Sequence, residues 1–347
     1  MQINAKFLMF ATALAGAGLG SQAWAGEPGP TLQAVLERGK LICPSHNGSY
    51  RGFAEVDNEG RWKGLDIDLC RAMATMILGS PDQAEFVPLS WAQRFPALQA
   101  KEIDVIIKLT EWTMSRDTEL NLQMSLPYFY GGTQFAIKTE HGVTSAAELD
   151  GATICGEAGT STVRHAANYL TGLGLEYDLV QYEKQEEAQA AFNEDRCDAF
   201  IGWGPNLAVF LADAEGGADK NMILPDLVNM GPQAIAMREG DDQFVDVANW
   251  MISALLLAEY NGVTSENAEQ MRDNPPNPVV AKLLGVDPGI GERLGLPDDW
   301  AYKMISQNGN YAEIYDRNLG ANSPYKLDRG VNSLWNHGGV LAPMTLD

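Results

Sequence analysis

Apolar positions recur along the chain in two alternating rhythms. Compact apolar runs at residues 40–44, 84–89 and 103–109 read as strands. Between them, apolar residues return every three to four positions, as on one face of a helix. Residues 31–40 form one such stretch. Another starts from 64–70 and continues to about Leu78, with Leu65, Leu69, Met73 and Met76 on one side. A third covers 91–100. Pro44 should stop the first strand, because its ring removes a backbone donor. The loop 45–61 is polar and carries Gly48, Gly52 and Gly60. Strands alternating with helices predict an α/β unit with a parallel sheet.

The rhythm restarts downstream. Strands are expected at 135–138, 153–155, 177–182 and 199–201, and helices near 145–149, 159–170, 185–193 and 205–214. Residues 230–238 read as extended. Residues 243–260 read as a long helix, with Val247, Trp250, Met251, Ala254 and Leu255 on its apolar side. The remainder is rich in Gly, Pro and Asn, with short helices expected at 278–284, 300–306 and 311–318. Two successive α/β lobes follow, without a sequence repeat, and 347 residues suit about two domains.

The start of the chain departs from both rhythms. Lys6 is the only charge before an apolar run from Phe7 to about Leu19, and Ala23-Trp-Ala25 follows. This is the layout of a secretory leader, residues 1–25, cleaved after Ala25. The apolar run is too short to cross a bilayer. No cysteine follows the cut, so no lipid anchor is indicated, and no later stretch is apolar enough to span. A soluble, exported protein is expected.

Composition agrees with a folded, soluble chain: 45% of residues are hydrophobic and 20% charged. The net charge of −22 argues against nucleic acid and against anionic lipid as partners. Cys43, Cys70, Cys155 and Cys197 allow three disulfide pairings, and export makes disulfides permissible. None of them forms a CxxC pair, and the four histidines are scattered, so neither a metal nor another cofactor is indicated.

Several fragments together resemble the polar amino-acid-binding proteins of ABC importers, solute-binding protein family 3, and within it the general L-amino-acid-binding branch. They are Cys43-Pro-Ser45, Gly64-Leu-Asp-Ile-Asp-Leu-Cys70, Arg94-Phe-Pro-Ala-Leu-Gln99 and Glu102-Ile-Asp-Val105. Trp112-Thr-Met-Ser-Arg-Asp-Thr118, Gly159-Thr-Ser-Thr162, Arg196-Cys-Asp198 and Glu239-Gly-Asp-Asp-Gln243 follow in order. Gly309-Asn-Tyr-Ala-Glu313 and Leu334-Trp-Asn336 complete the set. The resemblance implies a two-lobed periplasmic binding protein fold of type II, with a two-stranded hinge. Lobe 1 would comprise 26–134 and 233–347, including a C-terminal extension, and lobe 2 would comprise 135–232. One disulfide per lobe, Cys43 to Cys70 and Cys155 to Cys197, suits that organisation. The implied protein is a monomer in the periplasm that captures a small polar solute, closes over it and docks on a membrane permease.

The resemblance also implies a ligand site. Arg116 would pair bidentately with the ligand α-carboxylate, since a planar guanidinium matches a carboxylate. Gly159, Thr160, Ser161 and Thr162 open a helix whose free N–H groups would complete that anchor. Tyr50 and Phe53 would form an apolar wall. At the place where the family usually carries an aspartate for the ligand ammonium, this chain has Trp203, which offers a donor and a π-face but no charge. Glu111 stands where Ser or Thr is usual, next to Thr110, and Lys108 stands where the branch often has Arg. Glu111 could take the ammonium, pair with Lys108, or, with Trp203, cage a cationic or non-amino-acid solute. Relatives that are cyclohexadienyl dehydratases make a lyase conceivable, with Glu111 as general acid, but no nucleophile–base or phosphate-loop pattern is evident and the chain reads as a binder rather than an enzyme.

Overall fold

A computed structural model describes residues 28–213 and 216–347. The expected leader lies outside the described residues. After helix α1 (Pro30–Arg38), strand β1 (Leu41–His46) begins the first sheet system. The small hairpin β2 (Glu55–Val56) and β3 (Trp62–Lys63) follows, then α2 (Leu65–Leu78) and β4 (Ala84–Leu89), which pairs with β1 in parallel. Helix α3 (Arg94–Gln99) leads to β5 (Ile106–Glu111), and α4 (Met114–Thr118) to the long β6 (Leu122–Gly131). The backbone N–H of Asp104 donates to Ile42 O at 2.9 Å and its carboxylate accepts from Ile42 N at 2.8 Å, which ties the approach to β5 to β1.

A single residue, Gly132, separates β6 from β7 (Thr133–Lys138), the first strand of the second sheet. There β8 (Ala152–Glu157), α5 (Ser161–Gly172), β9 (Tyr177–Tyr182), α6 (Gln185–Asn193), β10 (Ala199–Trp203), α7 (Gly204–Asp213), α8 (Gly217–Lys220) and β11 (Asn221–Ile223) follow in turn. The strand order is β11-β7-β10-β8-β9. The chain then returns to the first sheet system as β12 (Gly231–Arg238), which lies antiparallel between β5 and β6. The outgoing and returning segments touch. A Cβ on Gly132 would sit 1.6 Å from Asn229 O, so only glycine lets them lie together.

Helix α9 (Asp242–Tyr260) buries Phe244, Val247, Ala248, Met251 and Leu255 in the first lobe's core. The C-terminal region adds α10 (Ala268–Asp273), α11 (Pro278–Leu283), α12 (Trp300–Asn308) and α13 (Tyr311–Asn318). It is fastened to α2 by polar bonds as well as by packing. Asn308 Nδ2 donates to Thr75 Oγ1 at 2.9 Å, and Asp68 accepts from Arg317 at 2.6 Å and Asn318 at 2.7 Å. Asn332 brackets Tyr130 near the crossing, accepting from its N–H and donating to its carbonyl.

The two-lobed α/β architecture matches expectation, and so do several elements, including 84–89, 177–182 and 185–193. Four readings need correction. The sheets are mixed rather than parallel, because the strands that cross between lobes run antiparallel to their neighbours. Pro44 does not end β1, which continues to His46; a proline needs only one N–H direction to be dispensable. The helix expected near 145–149 is a single 3-10 turn, Ala146–Glu148, capped by the Ser145 side chain. The strand β6 was not anticipated, since Pro127 interrupts its pattern. Pairing with β12 shifts register beside that proline, where a missing donor is tolerated.

Cys43 pairs with Cys70, binding β1 to α2, and Cys155 pairs with Cys197, binding β8 to the turn before β10. They close loops of 27 and 42 residues in sequence. By loop entropy each contributes about 3–4 kcal/mol. Urea unfolding of the Cys43→Ala/Cys70→Ala and Cys155→Ala/Cys197→Ala variants should show losses of that order. Losses below about 1 kcal/mol would refute a stabilising role.

Candidate functional site

The cleft between the lobes lies at the carboxyl ends of β1, β5, β8 and β10, where α/β sheets leave free backbone groups and room for ligands. From the first lobe, β5 delivers Leu109 and Glu111, and the turn beyond it delivers Arg116. The Thr113 side chain caps that turn by accepting from Arg116 N at 3.4 Å. Arg116 is 6% exposed, and its Nη1 donates to the Glu111 carbonyl at 2.7 Å. Burial pulls its pKa down to about 10, the Glu111 carboxylate opposing this, so the guanidinium stays charged at neutral pH.

A second arginine stands beside it. Arg94, at the first turn of α3, is 1% exposed and lines the same cleft. Its Nη1 donates to Trp91 O, its guanidinium lies 4.8 Å from the Trp91 ring and 4.2 Å from the Phe95 ring, and its Nε is buried without a partner. Arg116 also lies near the Phe95 ring, 5.3 Å from its centre. Burial, then the Arg116 charge, drives the Arg94 pKa well below its ordinary value.

The second lobe supplies the start of α5. Thr160 caps this helix, accepting from Val163 N at 3.4 Å, and Thr160, Ser161 and Thr162 all line the cleft. Gly159 before them has φ +74°, and a Cβ there would lie 3.0 Å from Ala92 N of the other lobe. The lobes are therefore in contact here. Trp203 closes one side, packed on Phe53 and Phe129 with ring centres 5.4 and 5.1 Å away, and its Nε1 is buried without a partner.

Glu111 bridges the lobes. Its Oε2 lies 2.9 Å from His165 Nε2 on α5, and its Oε1 accepts from Asn229 Nδ2 at 2.8 Å in the returning crossover. Burial raises its pKa, but the His165 and Ser161 hydrogen bonds and the nearby His165 and Arg116 charges outweigh burial and hold it below the usual carboxylate range. Beside the cleft, His46 Nε2 and Glu157 Oε1 are 3.5 Å apart and both side chains are buried. Burial, helped by the Lys108 and Arg94 charges, pushes His46 down to about 2. Burial pushes Glu157 up to about 8.

Comparison with known proteins adds the family. The model of the bacterial extracellular solute-binding proteins, family 3, matches residues 45–263. The chain belongs to that family. It is 39% identical over 312 residues to the general L-amino acid-binding periplasmic protein AapJ of Rhizobium johnstonii, covering 89% of this chain and 91% of that protein. It is 37% identical over 311 residues to the glutamate/glutamine/aspartate/asparagine-binding protein BztA of Rhodobacter capsulatus, covering 90% and 91%. A solved structure of an ABC transporter periplasmic binding protein from Brucella ovis, with glutathione bound, has a TM-score of 0.85 at 41% identity, covering 90% of this chain and 97% of that one.

In this solute-binding protein the expected site residues divide. Arg116, Glu111, Tyr50, Thr160, Ser161, Thr162 and Trp203 line the cleft. Phe53 does not: it is fully buried behind Tyr50 and Trp203, so it backs the wall instead of forming it. Thr110 is also fully buried, donating to Lys108 O, and Gly159 serves lobe contact. Lys108 does not pair with Glu111. Its Nζ turns to the carbonyls of Ser45 and Leu89 and lies 4.7 Å from the Trp91 ring, because alternate residues of a strand point to opposite faces. Arg94, Trp91, Thr133, Asn229 and Gln233 also line the cleft and were not anticipated. Arg94 carried a signal, as an arginine just beyond a strand's carboxyl end. Asn229 and Gln233 sit in a crossover that no periodicity marks. Among the described residues no group of His, Cys, Asp or Glu is placed to hold a metal ion, and no helix is long and apolar enough to cross a membrane.

The raised Glu157 pKa has a measurable sign. The folded protein keeps this proton up to about pH 8, whereas the unfolded chain releases it near 4.5. Folding therefore loses stability from this group as pH rises through that window. Glu157→Gln keeps the shape and cannot ionise. Its stability relative to wild type should rise by about 1–2 kcal/mol between pH 6 and 8 in urea melts. A difference that stays flat with pH would contradict a buried, protonated Glu157.

Proposed function

We propose that the protein is the extracytoplasmic substrate-binding component of an ABC importer and that it captures an L-amino acid by closure of the cleft. The observation that carries this reading is the Arg116 guanidinium, charged and buried at the cleft, with the first turn of α5 arriving from the opposite lobe. A bidentate carboxylate fits the arginine, and the free N–H groups of a helix start suit the same anion. AapJ and BztA are named for amino acids, and the ligand of the Brucella ovis protein, glutathione, also carries an ammonium and carboxylates.

On this reading Glu111 takes the place of the family's missing aspartate and faces the ligand ammonium, with His165 and Asn229 holding its carboxylate in position. Trp203 contributes a wall and an indole N–H. Catalysis is disfavoured at Glu111, since a general acid needs a raised pKa and this carboxylate is held low. Residues 1–25 act as a leader cleaved after Ala25, so the mature protein works in the periplasm as a monomer, and its closed form is what the permease recognises.

A thermal-shift and calorimetric screen of the ligand-stripped protein tests this. The panel contains L-amino acids, their deaminated analogues and quaternary amines. L-Amino acids should stabilise the protein and deaminated acids should not. Arg116→Met should weaken every amino acid by about 100-fold or more, the cost of stranding a carboxylate. Glu111→Gln should also lose binding, through the ammonium. Stabilisation only by deaminated acids or amines would overturn the amino-acid reading.

A further inference from the structure

Glu157 is a carboxylic acid that the closed arrangement buries against the other lobe. It ends β8, is 7% exposed, and faces His46 at the end of β1, its Oε1 3.5 Å from the imidazole Nε2. Gly48 N donates to His46 Nδ1 at 3.2 Å, so that nitrogen carries no proton and the ring is neutral, with its hydrogen on Nε2. Burial, then the Lys108 and Arg94 charges, favour the same neutral form. The histidine therefore gives Glu157 a donor but no counter-charge.

Among the described residues no lysine or arginine forms an ion pair with Glu157. Lys108 Nζ is engaged by the carbonyls of Ser45 and Leu89, and Arg94 Nη1 by the carbonyl of Trp91. Tyr50 stacks on the His46 ring, and Tyr182 of β9 pairs with Glu157 in register. On α5, His165 is held by Glu111 and Arg164 is exposed; Lys184 and Glu187 at the start of α6 are exposed too. Glu186 of α6 adds a like charge to Glu157 while it accepts from Ser49 N of the first lobe. Two carboxyl groups of the second lobe thus hold one segment of the first, residues 46–49, Glu186 at its backbone and Glu157 at its histidine. When the lobes part, His46 keeps Lys108 and Arg94, which belong to its own lobe. Glu157 loses the burial that closure gave it.

We propose that closure of the cleft takes up one proton at Glu157, so that the protein captures its solute more tightly in acid than in alkali. The open form holds a hydrated carboxylate, the closed form a carboxylic acid, and the proton comes from the solvent. Carrying an unpaired carboxylate out of water costs more than protonating it. The closed form keeps this proton up to about pH 8, whereas a hydrated glutamate releases it near 4.5. The closed state therefore binds more protons than the open state across that window, and closure weakens as pH rises through it. The inference rests on a cleft that closes over its solute, and the amino-acid reading enters only through the choice of probe.

The test is calorimetric titration of the ligand-stripped protein with L-glutamine, in phosphate and in Tris, two buffers with different heats of ionisation. At neutral pH the difference in heat should report uptake of about 0.5–1 proton per ligand bound, and Kd should rise about 3–10-fold per unit between about pH 6 and 8. Glu157→Gln keeps the shape and cannot ionise. It should bind with no buffer-dependent heat and with less than about 2-fold change in Kd over the same range. Equal wild-type heats in the two buffers would overturn the proposal, and so would a Glu157→Gln protein that takes up as much proton as wild type. If Glu157→Gln does not fold, the wild-type heats and pH slope decide. The amino-acid reading fails differently: neither L-glutamine nor any other L-amino acid binds wild type. Small-angle scattering of the ligand-free protein then decides, with a smaller radius of gyration expected at about pH 6 than at about pH 8.5, and an unchanged radius overturning the proposal.

Discussion

Two guanidinium groups, Arg94 and Arg116, are buried against one phenyl ring, and the design of the cleft depends on keeping them charged there. Each is under 10% exposed. Burial is the main cause of the downward pull on Arg94, and the like charge of Arg116 adds to it. The protein offsets this with oriented dipoles and ring faces: the carbonyls of Trp91 and Glu111, and the rings of Trp91 and Phe95. Among the described residues no carboxylate forms an ion pair with either guanidinium. On the proposed reading, the solute brings the counter-charge to Arg116.

The surrounding acids obey the same constraint. Glu111 keeps its charge because His165, Ser161 and Asn229 supply hydrogen bonds to it. At Glu157, beside the cleft, burial together with the nearby Glu186 charge outweighs the support of Trp91, Lys108 and Arg94, and the carboxyl retains its proton instead. The two carboxyl groups are driven apart in pKa by the balance of burial against what supports the charge. The supporting bonds come from both lobes, so the electrostatics shown here belong to the closed arrangement. Opening would separate Glu111 from His165 and His46 from Glu157, rehydrating all four.

Much of the fold was legible in the sequence, because amphipathic helices and apolar strands advertise their period. The long helix α9 and the strand at 84–89 are examples. The crossing strand β6 was hidden by Pro127 and by Ser125, a polar residue buried against β12, where its hydroxyl accepts from Ile235 N, rather than facing water. Mixed strand direction was equally hidden, since direction depends on long-range return of the chain and not on local pattern. Within the cleft, Arg116 and the α5 loop were legible through motif, but Lys108 and Phe53 were misplaced. Strand parity turned Lys108 away from Glu111, and Phe53 was drawn into an aromatic stack that no spacing encodes.

Closure ties these local facts to transport. The crossover is narrow: one residue joins β6 to β7, and Gly132 touches the returning segment at Asn229. Asn229 is also a ligand of the Glu111 carboxylate, while its Oδ1 accepts from Thr133 N at 3.0 Å. A single side chain therefore contacts the outgoing strand and the acid that reaches across to α5. Any solute that fixes Glu111 also fixes Asn229, and through it the geometry of both crossing segments. On the proposed reading, with the ligand ammonium at Glu111 and its α-carboxylate at Arg116, binding at the ammonium end is coupled to the geometry of the crossing segments, whereas Arg116, rooted in the first lobe, can engage the carboxylate before the lobes meet. Capture by the first lobe followed by locking through Glu111 is the order that this reading implies.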